Sequence, residues 1–270
     1  MPTKDEATGT DQSIALIGHT GFVGSNLLKS DTVFTDFYNS KNITDISGRE
    51  FDLVVCAGVS AVKWKANVEP EADWSSILRL MEPLASVKAR RFVLISTTDV
   101  YPEPVGVTEK DIPTEAGAQA YGLHRLKLEK FVQDRFDVHH VVRLPALFGP
   151  GLKKNAIFDL LTDNQVGRIN PDSRFQWYPV RRLASDLEAV IGKETPVFNV
   201  ACAPVAMRTI VERSFSGAVL GEAAASVGYD MQTDYAELLG GQGRYHLDAV
   251  TVLDEIDAYV EGVRTGTGVP

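Results

Sequence analysis

Long hydrophobic runs, cysteines and basic clusters are what this 270-residue chain has least of. No apolar run approaches the ~18 residues that a membrane-spanning helix needs. The two cysteines, Cys56 and Cys202, are isolated in apolar surroundings, which offers neither a disulfide framework nor a zinc site. Lys and Arg number 27 against 36 Asp and Glu, a formal charge of −9 with no long basic stretch. That balance argues against nucleic acid as a partner, although local arginines can still meet an anionic small molecule. His124, His139 and His140 have no acidic or cysteine partners at metal-ligand spacing, so no metal site is expected. Residues 1–12, MPTKDEATGTDQ, lack an apolar core and read as a disordered tail rather than a secretion signal, and 265–270 read likewise. The cytoplasm is the default compartment.

What the chain does have is 44% apolar and 23% charged residues, the balance of a folded globular protein. Its most informative segment is Ile14-Ala15-Leu16-Ile17 followed by Gly18, Gly21 and Gly24 in the spacing G-x-x-G-x-x-G. An apolar strand, a tight turn and a helix start in that order form a cradle for a dinucleotide pyrophosphate. Unpaired backbone N–H groups and the helix dipole favour the anion, and glycine permits close approach. Gly18, Thr20, Gly21, Phe22, Val23 and Gly24 are the residues of this turn.

Strand patterns follow at Val33–Phe37, Asp52–Ala57, Arg91–Ser96 and His140–Leu144, with helical patterns at Gly24–Lys29, Ala72–Lys88 and Gln119–Phe136. Such alternation predicts an α/β fold, a Rossmann-type doubly wound parallel sheet. The stretch from Lys29 to Phe51 is too compressed for a full helix. Beyond Gly151 the pattern turns irregular: a helix near Leu152–Leu161, a strand at Phe175–Val180, another at Val197–Val200 and a helix at Ala249–Val263. The expected organisation is a dinucleotide-binding core at 13–151 and a mainly substrate-binding lobe at 152–264, from which 197–201 returns to the core.

Cofactor type turns on the end of the second strand. An acid there would select a free ribose 2′-OH and hence NAD. Asp36 falls slightly early, whereas Asn39, Ser40 and Lys41 suit a 2′-phosphate, which favours NADP over NAD.

Four segments in order carry a resemblance: Gly18–Gly24; Ser96-Thr97-Thr98-Asp99-Val100-Tyr101; Tyr121-Gly122 with Glu129 eight residues on; and Arg143-Leu144-Pro145-Ala146-Leu147-Phe148-Gly149-Pro150-Gly151. Through them the chain resembles the extended short-chain dehydrogenase/reductase family, especially its nucleotide-sugar epimerases, dehydratases and reductases. The resemblance implies a soluble NAD(P)-dependent enzyme that moves a hydride to or from a nucleotide-activated sugar, with an epimerase or ketoreductase favoured.

It also implies roles for individual residues. Tyr121 would be the acid/base, and Thr97 would polarise the substrate hydroxyl. Arg125, four residues after Tyr121 and therefore about 40° around the helix, stands where the family has lysine. It would tune Tyr121 and hold the nicotinamide ribose, although a guanidinium cannot join a proton relay. Asn42 and Ile43 would bracket the adenine, and Cys56, Ala57, Gly58 and Pro145 would line the cofactor. On the substrate side the resemblance points to Asp99, Lys63, Trp64, Arg174 and Arg181. Thr98-Asp99 replaces the Asp-Glu pair of the dehydratases, which weakens a dehydratase reading. The arginine at 125 leaves open a different class, a dinucleotide-binding sensor or assembly protein. A homodimer through Ala72–Lys88 and Gln119–Phe136 is the implied assembly.

Overall fold

The structure, a computed structural model, describes residues 12–267. The tail assignments at 1–11 and 268–270 lie outside the described residues. Six strands form the central sheet: β1 (Ile14–Ile17), β2 (Asp36–Tyr38), β3 (Glu50–Cys56), β4 (Lys88–Thr97), β5 (His139–Leu144) and β6 (Val197–Asn199). Their spatial order is β6-β5-β4-β3-β1-β2. Every neighbouring pair is parallel. The order reverses at β1, and the strands' carboxyl ends there open the crevice characteristic of doubly wound sheets.

Strand side chains alternate between two cores, as the two-residue period requires. Ala15, Ile17, Val54, Cys56, Phe92, Leu94 and Val141 pack with Ile77, Leu80, Leu84, Leu128 and Val132 of the helices α3 (Pro70–Leu84) and α4 (Ala120–Arg135). Leu16, Val55, Val93 and Val142 face the opposite way, toward a core shared with the carboxyl-terminal segments. The same sheet therefore buries both its faces, which is why its strands read as nearly continuous apolar runs.

Connections are short where the spacing is tight. Helix α1 (Phe22–Leu27) joins β1 to β2, starting two residues earlier than the helical pattern and stopping at Leu27. A single 3-10 turn, Ile43–Ile46, leads from β2 to β3, in keeping with the compressed link. Helix α2 (Lys63–Val68) precedes α3, whose start at Pro70 places proline in its first turn, where the missing N–H costs nothing. Helix α3 stops at Leu84 rather than Lys88, because Lys88 already belongs to β4.

Beyond β5 come α5 (Ala156–Thr162), α6 (Leu183–Ile191), α7 (Met207–Ser214) and α8 (Ala249–Thr265). The single strand expected at Phe175–Val180 is two short ones, Arg174–Phe175 and Trp177–Pro179. Gln176 divides them. Its buried amide donates to the Cys202 and Met231 carbonyls at 2.5 and 2.7 Å and accepts from the Met231 N–H at 2.7 Å. One glutamine thus fastens three segments of the carboxyl-terminal half.

Candidate active site

The glycine turn is built by backbone crowding. Gly18 has φ +86°, and a Cβ there would lie 2.3 Å from the Ala57 carbonyl oxygen at the end of β3. A Cβ on Gly24 would lie 2.2 Å from the Gly18 carbonyl oxygen. Both obstacles are backbone and cannot swing aside. Gly21 is exposed and caps α1 without a side-chain hydrogen bond. The turn therefore presents bare backbone at the crevice, as close docking of a diphosphate demands, and the residues present fit a dinucleotide. Replacing Gly24 with alanine is expected to cost about 1–3 kcal/mol of stability by forcing α1 off β1. It should also weaken NADPH binding at least about tenfold, or 1.4 kcal/mol, in a fluorescence titration. Unchanged binding would show that the ligand docks elsewhere.

Across the crevice, α4 brings Tyr121 to the end of β4. The Asn67 side chain of α2 accepts from the Tyr121 N–H at 2.9 Å and so anchors the start of α4. Gly122 permits the contact with the turn Thr98–Val100, since a Cβ there would lie 1.9 Å from the Asp99 carbonyl oxygen. The phenol is buried, 7% exposed. Burial raises its pKa above the ordinary value, while the Arg125 charge, the Thr97 hydroxyl and Lys63 work in the opposite direction.

Arg125 is a strut as well as a charge. Its two Nη atoms donate to both Asp73 oxygens at 2.7 and 2.9 Å, to the Tyr121 carbonyl at 2.9 Å and to the Ser60 carbonyl at 2.6 Å. The guanidinium carbon lies 3.8 Å from the centroid of the Tyr121 ring. Only the buried Nε has no protein partner. Burial would raise the Asp73 carboxyl, but hydrogen bonds from Arg125 and His124 hold it below its ordinary value. Asp73 is the partner sequence reading missed, and its signal is slight: it is one of two acids, with Glu71, in the first turn of α3.

A second cluster joins α2 and the turn after β4 to the carboxyl-terminal segments. Lys63 donates to Asp99 Oδ1 at 2.7 Å and to the Tyr229 hydroxyl at 2.9 Å, and Tyr229 donates to the same Asp99 oxygen at 2.9 Å. Burial opposes the Lys63 charge, but Asp99 and Tyr229 more than offset it and raise the lysine's pKa. Phe175 stacks on Tyr229 with ring centroids 5.8 Å apart. Tyr229 carried no sequence signal, since it lies in an irregular loop far from every motif.

The remaining singled-out residues divide. Cys56 is wholly buried, its thiol pushed up to about 11 by burial, so it lines the fold as an unreactive small group. Ala57 and Gly58 follow it at the crevice edge. Pro145 is buried between β5 and the strand Ala146–Phe148. Asp36 is engaged by Arg49 at 2.9 Å and by the Thr35 hydroxyl. The Asn39 side chain accepts from the Lys41 N–H at 2.9 Å, the Asn42 side chain accepts from the Asn39 N–H at 2.8 Å, and Ser40 and Lys41 are exposed. Ile43 opens the 3-10 turn beyond them. Trp64 is 69% exposed on α2, so it does not pack into the core. Arg174 sits exposed among the carboxyl-terminal segments, its carbonyl accepting from the Tyr229 N–H at 3.0 Å. Arg181 departs from its expected place in the substrate cleft. It is turned to α8, where Glu255 takes Arg182 at 3.0 Å and Arg181 at 2.5 Å. The carboxylate of α8 captures both guanidinium groups.

Glycine turn, parallel sheet and buried tyrosine together define a Rossmann-type scaffold of the dehydrogenase/reductase kind. The chain belongs to the NAD dependent epimerase/dehydratase family, whose description it matches over residues 29–168. A UDP-glucose 4-epimerase of Vibrio cholerae is 28% identical over 178 residues, 53% of this chain and 54% of that protein. The match spans about half the length of this curated relative. Among solved structures, MoeE5 in complex with UDP-glucose and NAD superposes with a TM-score of 0.73 at 16% identity, covering 95% of this chain and all of that one. The dTDP-4-dehydrorhamnose reductase from Yersinia enterocolitica gives 0.72 at 14%, covering 93% and 99%. At these identities the likeness is one of fold. Among the described residues no helix is long and apolar enough to cross a membrane.

Proposed function

We propose that the protein is an NAD(P)-dependent epimerase or ketoreductase of a nucleotide-activated sugar, with Tyr121 as the acid/base. The observation that carries this reading is the placement of the buried Tyr121 ring, 3.8 Å from the Arg125 guanidinium carbon, on a helix packed against the turn Thr98–Val100 at the end of β4. Gly18, Thr20, Gly21, Phe22, Val23 and Gly24 would hold the diphosphate. The bound dinucleotide would supply the hydride donor or acceptor. Its exposed Ser40 and Lys41, with Asp36 already paired, support NADP over NAD. The names of the relatives, a UDP-glucose epimerase and a dTDP-sugar reductase, support the substrate class.

The protein groups do the rest. Thr97 would hydrogen-bond the sugar hydroxyl, and Tyr121 would give or take its proton. Because burial raises the phenol's pKa, Tyr121 is protonated at neutral pH and ready to donate to a ketone. An acid with a raised pKa keeps its proton to higher pH. Ketone reduction should therefore hold level through neutrality and fall in strong alkali, whereas carbinol oxidation should rise with pH. Following NAD(P)H absorbance for net reduction or oxidation, and the sugar's configuration by NMR for epimerisation, with UDP- and dTDP-linked sugars and both cofactors, tests this. Failure to bind either dinucleotide, or binding with neither net hydride transfer nor epimerisation of any such sugar, would refute it. The second of those results would support a sensor or assembly role, which the arginine at 125 motivates.

A further inference from the structure

A dinucleotide and a nucleotide sugar each bring a diphosphate, and its negative charge needs a cation to meet it. No lysine or arginine lies between Gly18 and Asn26, so the glycine turn itself offers only neutral backbone N–H groups. Three nearby cations are already paired: Arg125 with Asp73, Lys63 with Asp99 and Arg143 with Glu129. Lys154 is different. Its ammonium donates to the Ala61 carbonyl, and no carboxylate among the described residues pairs with it. We propose that Lys154, carried along the crevice by the segment 149–155, is the cation that meets the diphosphate of the bound ligand. The proposal rests on the dinucleotide and nucleotide-sugar reading above and adds to that site a residue outside its motifs.

The segment is pinned along its length. Asn26 of α1 donates to the Pro150 carbonyl at 2.9 Å, and a Cβ on Gly151 would lie 3.9 Å from the Phe22 ring. Three residues on, Lys154 reaches Ala61, in the loop between β3 and α2. The preceding carbonyl of that loop, Ser60, is the one that Arg125 holds at 2.6 Å. The segment thus runs from the helix after the glycine turn to the loop after β3, along the carboxyl ends of β1 and β3. Asn155 fixes the main chain next to the lysine. Its side chain donates to the Leu147 carbonyl at 2.8 Å and accepts from the Phe158 N–H at 3.1 Å. An ammonium has three N–H donors, and Ala61 takes one of them.

The electrostatics agree with this geometry. Lys154 is exposed as a residue, but its amino end is tucked against Ala61. That burial lowers its pKa, and the charge of Arg125 acts in the same direction. A cation placed near another cation, with only a carbonyl dipole for company, is stabilised when an anion arrives. The diphosphate of the dinucleotide and that of the sugar nucleotide share this chemistry, and binding measurements separate them.

Calorimetric titration of the full chain with NADP+, NAD+ and UDP, comparing wild type with Lys154→Met and Lys154→Arg, tests this. Lys154→Met should weaken the ligand whose diphosphate it meets by about tenfold to a hundredfold, the worth of one charged hydrogen bond. It should also flatten the dependence of that affinity on salt, because one attractive charge is gone. Lys154→Arg keeps the charge and should keep most of the affinity. A loss confined to the dinucleotides assigns the cofactor's diphosphate, and a loss confined to UDP assigns the sugar nucleotide's. Equal affinities in wild type and Lys154→Met would overturn the proposal and leave the functional reading standing. So would a loss that Lys154→Arg shares in full and that leaves the salt dependence unaltered, since that marks a merely structural role. A wild type that binds none of the three ligands would overturn the functional reading as well.

Discussion

Tyr121→Phe is expected to lower kcat by about a hundredfold to ten-thousandfold, the usual worth of a positioned general acid or base. The affinity for dinucleotide should change little. The substitution deletes one oxygen from a side chain that is 7% exposed, and the ring still stacks against the Arg125 guanidinium. The bond from the Tyr121 N–H to Asn67 is untouched, so α4 keeps its place. Steady-state rates beside a fluorescence titration of NADPH separate the two quantities. A variant that turns over normally removes Tyr121 from the chemistry, and one that loses cofactor binding as well shows that the phenol is part of the binding site.

Glu129→Ala should cost about 3–5 kcal/mol of folding stability, read from the midpoint of chemical denaturation. Glu129 and Arg143 are 1% and 3% exposed and meet at 2.7 Å, joining α4 to β5. Arg143 also donates to the Tyr101 hydroxyl at 2.6 Å, which in turn donates to the Thr108 carbonyl at 2.7 Å. Ser96 of β4 donates to the other side of Glu129. Removing the carboxylate leaves a buried guanidinium without its counter-charge, and that stranded charge dominates the loss. Replacing both partners, as Glu129→Leu with Arg143→Met, should recover most of it, because the desolvation penalty disappears with the charges. A double variant no more stable than Glu129→Ala would show instead that the pair's hydrogen bonds hold the end of β4 together.

Much of the fold was legible because its signals are local. The strand at Ile14–Ile17 is found at its expected bounds, since four apolar residues before a glycine turn have few other ways to be buried. Helix α4 lies within one residue of its pattern at each end. The short link before β3 did prove too small for an α-helix. Boundaries failed where neighbouring elements compete, as at the end of α3. The split strand around Gln176 failed for another reason: a polar side chain reads as exposed in sequence, and only three backbone partners from distant segments make its burial tolerable.

The sequence by itself determined the parallel sheet, the glycine turn and the order of the segments that meet at its carboxyl edge. Apolar periodicity and glycine sterics act over a few residues, and they leave the chain little choice. The tertiary structure alone decided which charges are free. Arg125 finds Asp73 across 52 residues, and Tyr229 finds Asp99 across 130. Arg181, which looked available to a substrate, is held by Glu255 74 residues away. An ion pair depends on where side chains end in space and on how far burial has removed water from between them. No spacing along the chain encodes either quantity, so the motif residues could be located from the sequence while their partners could not.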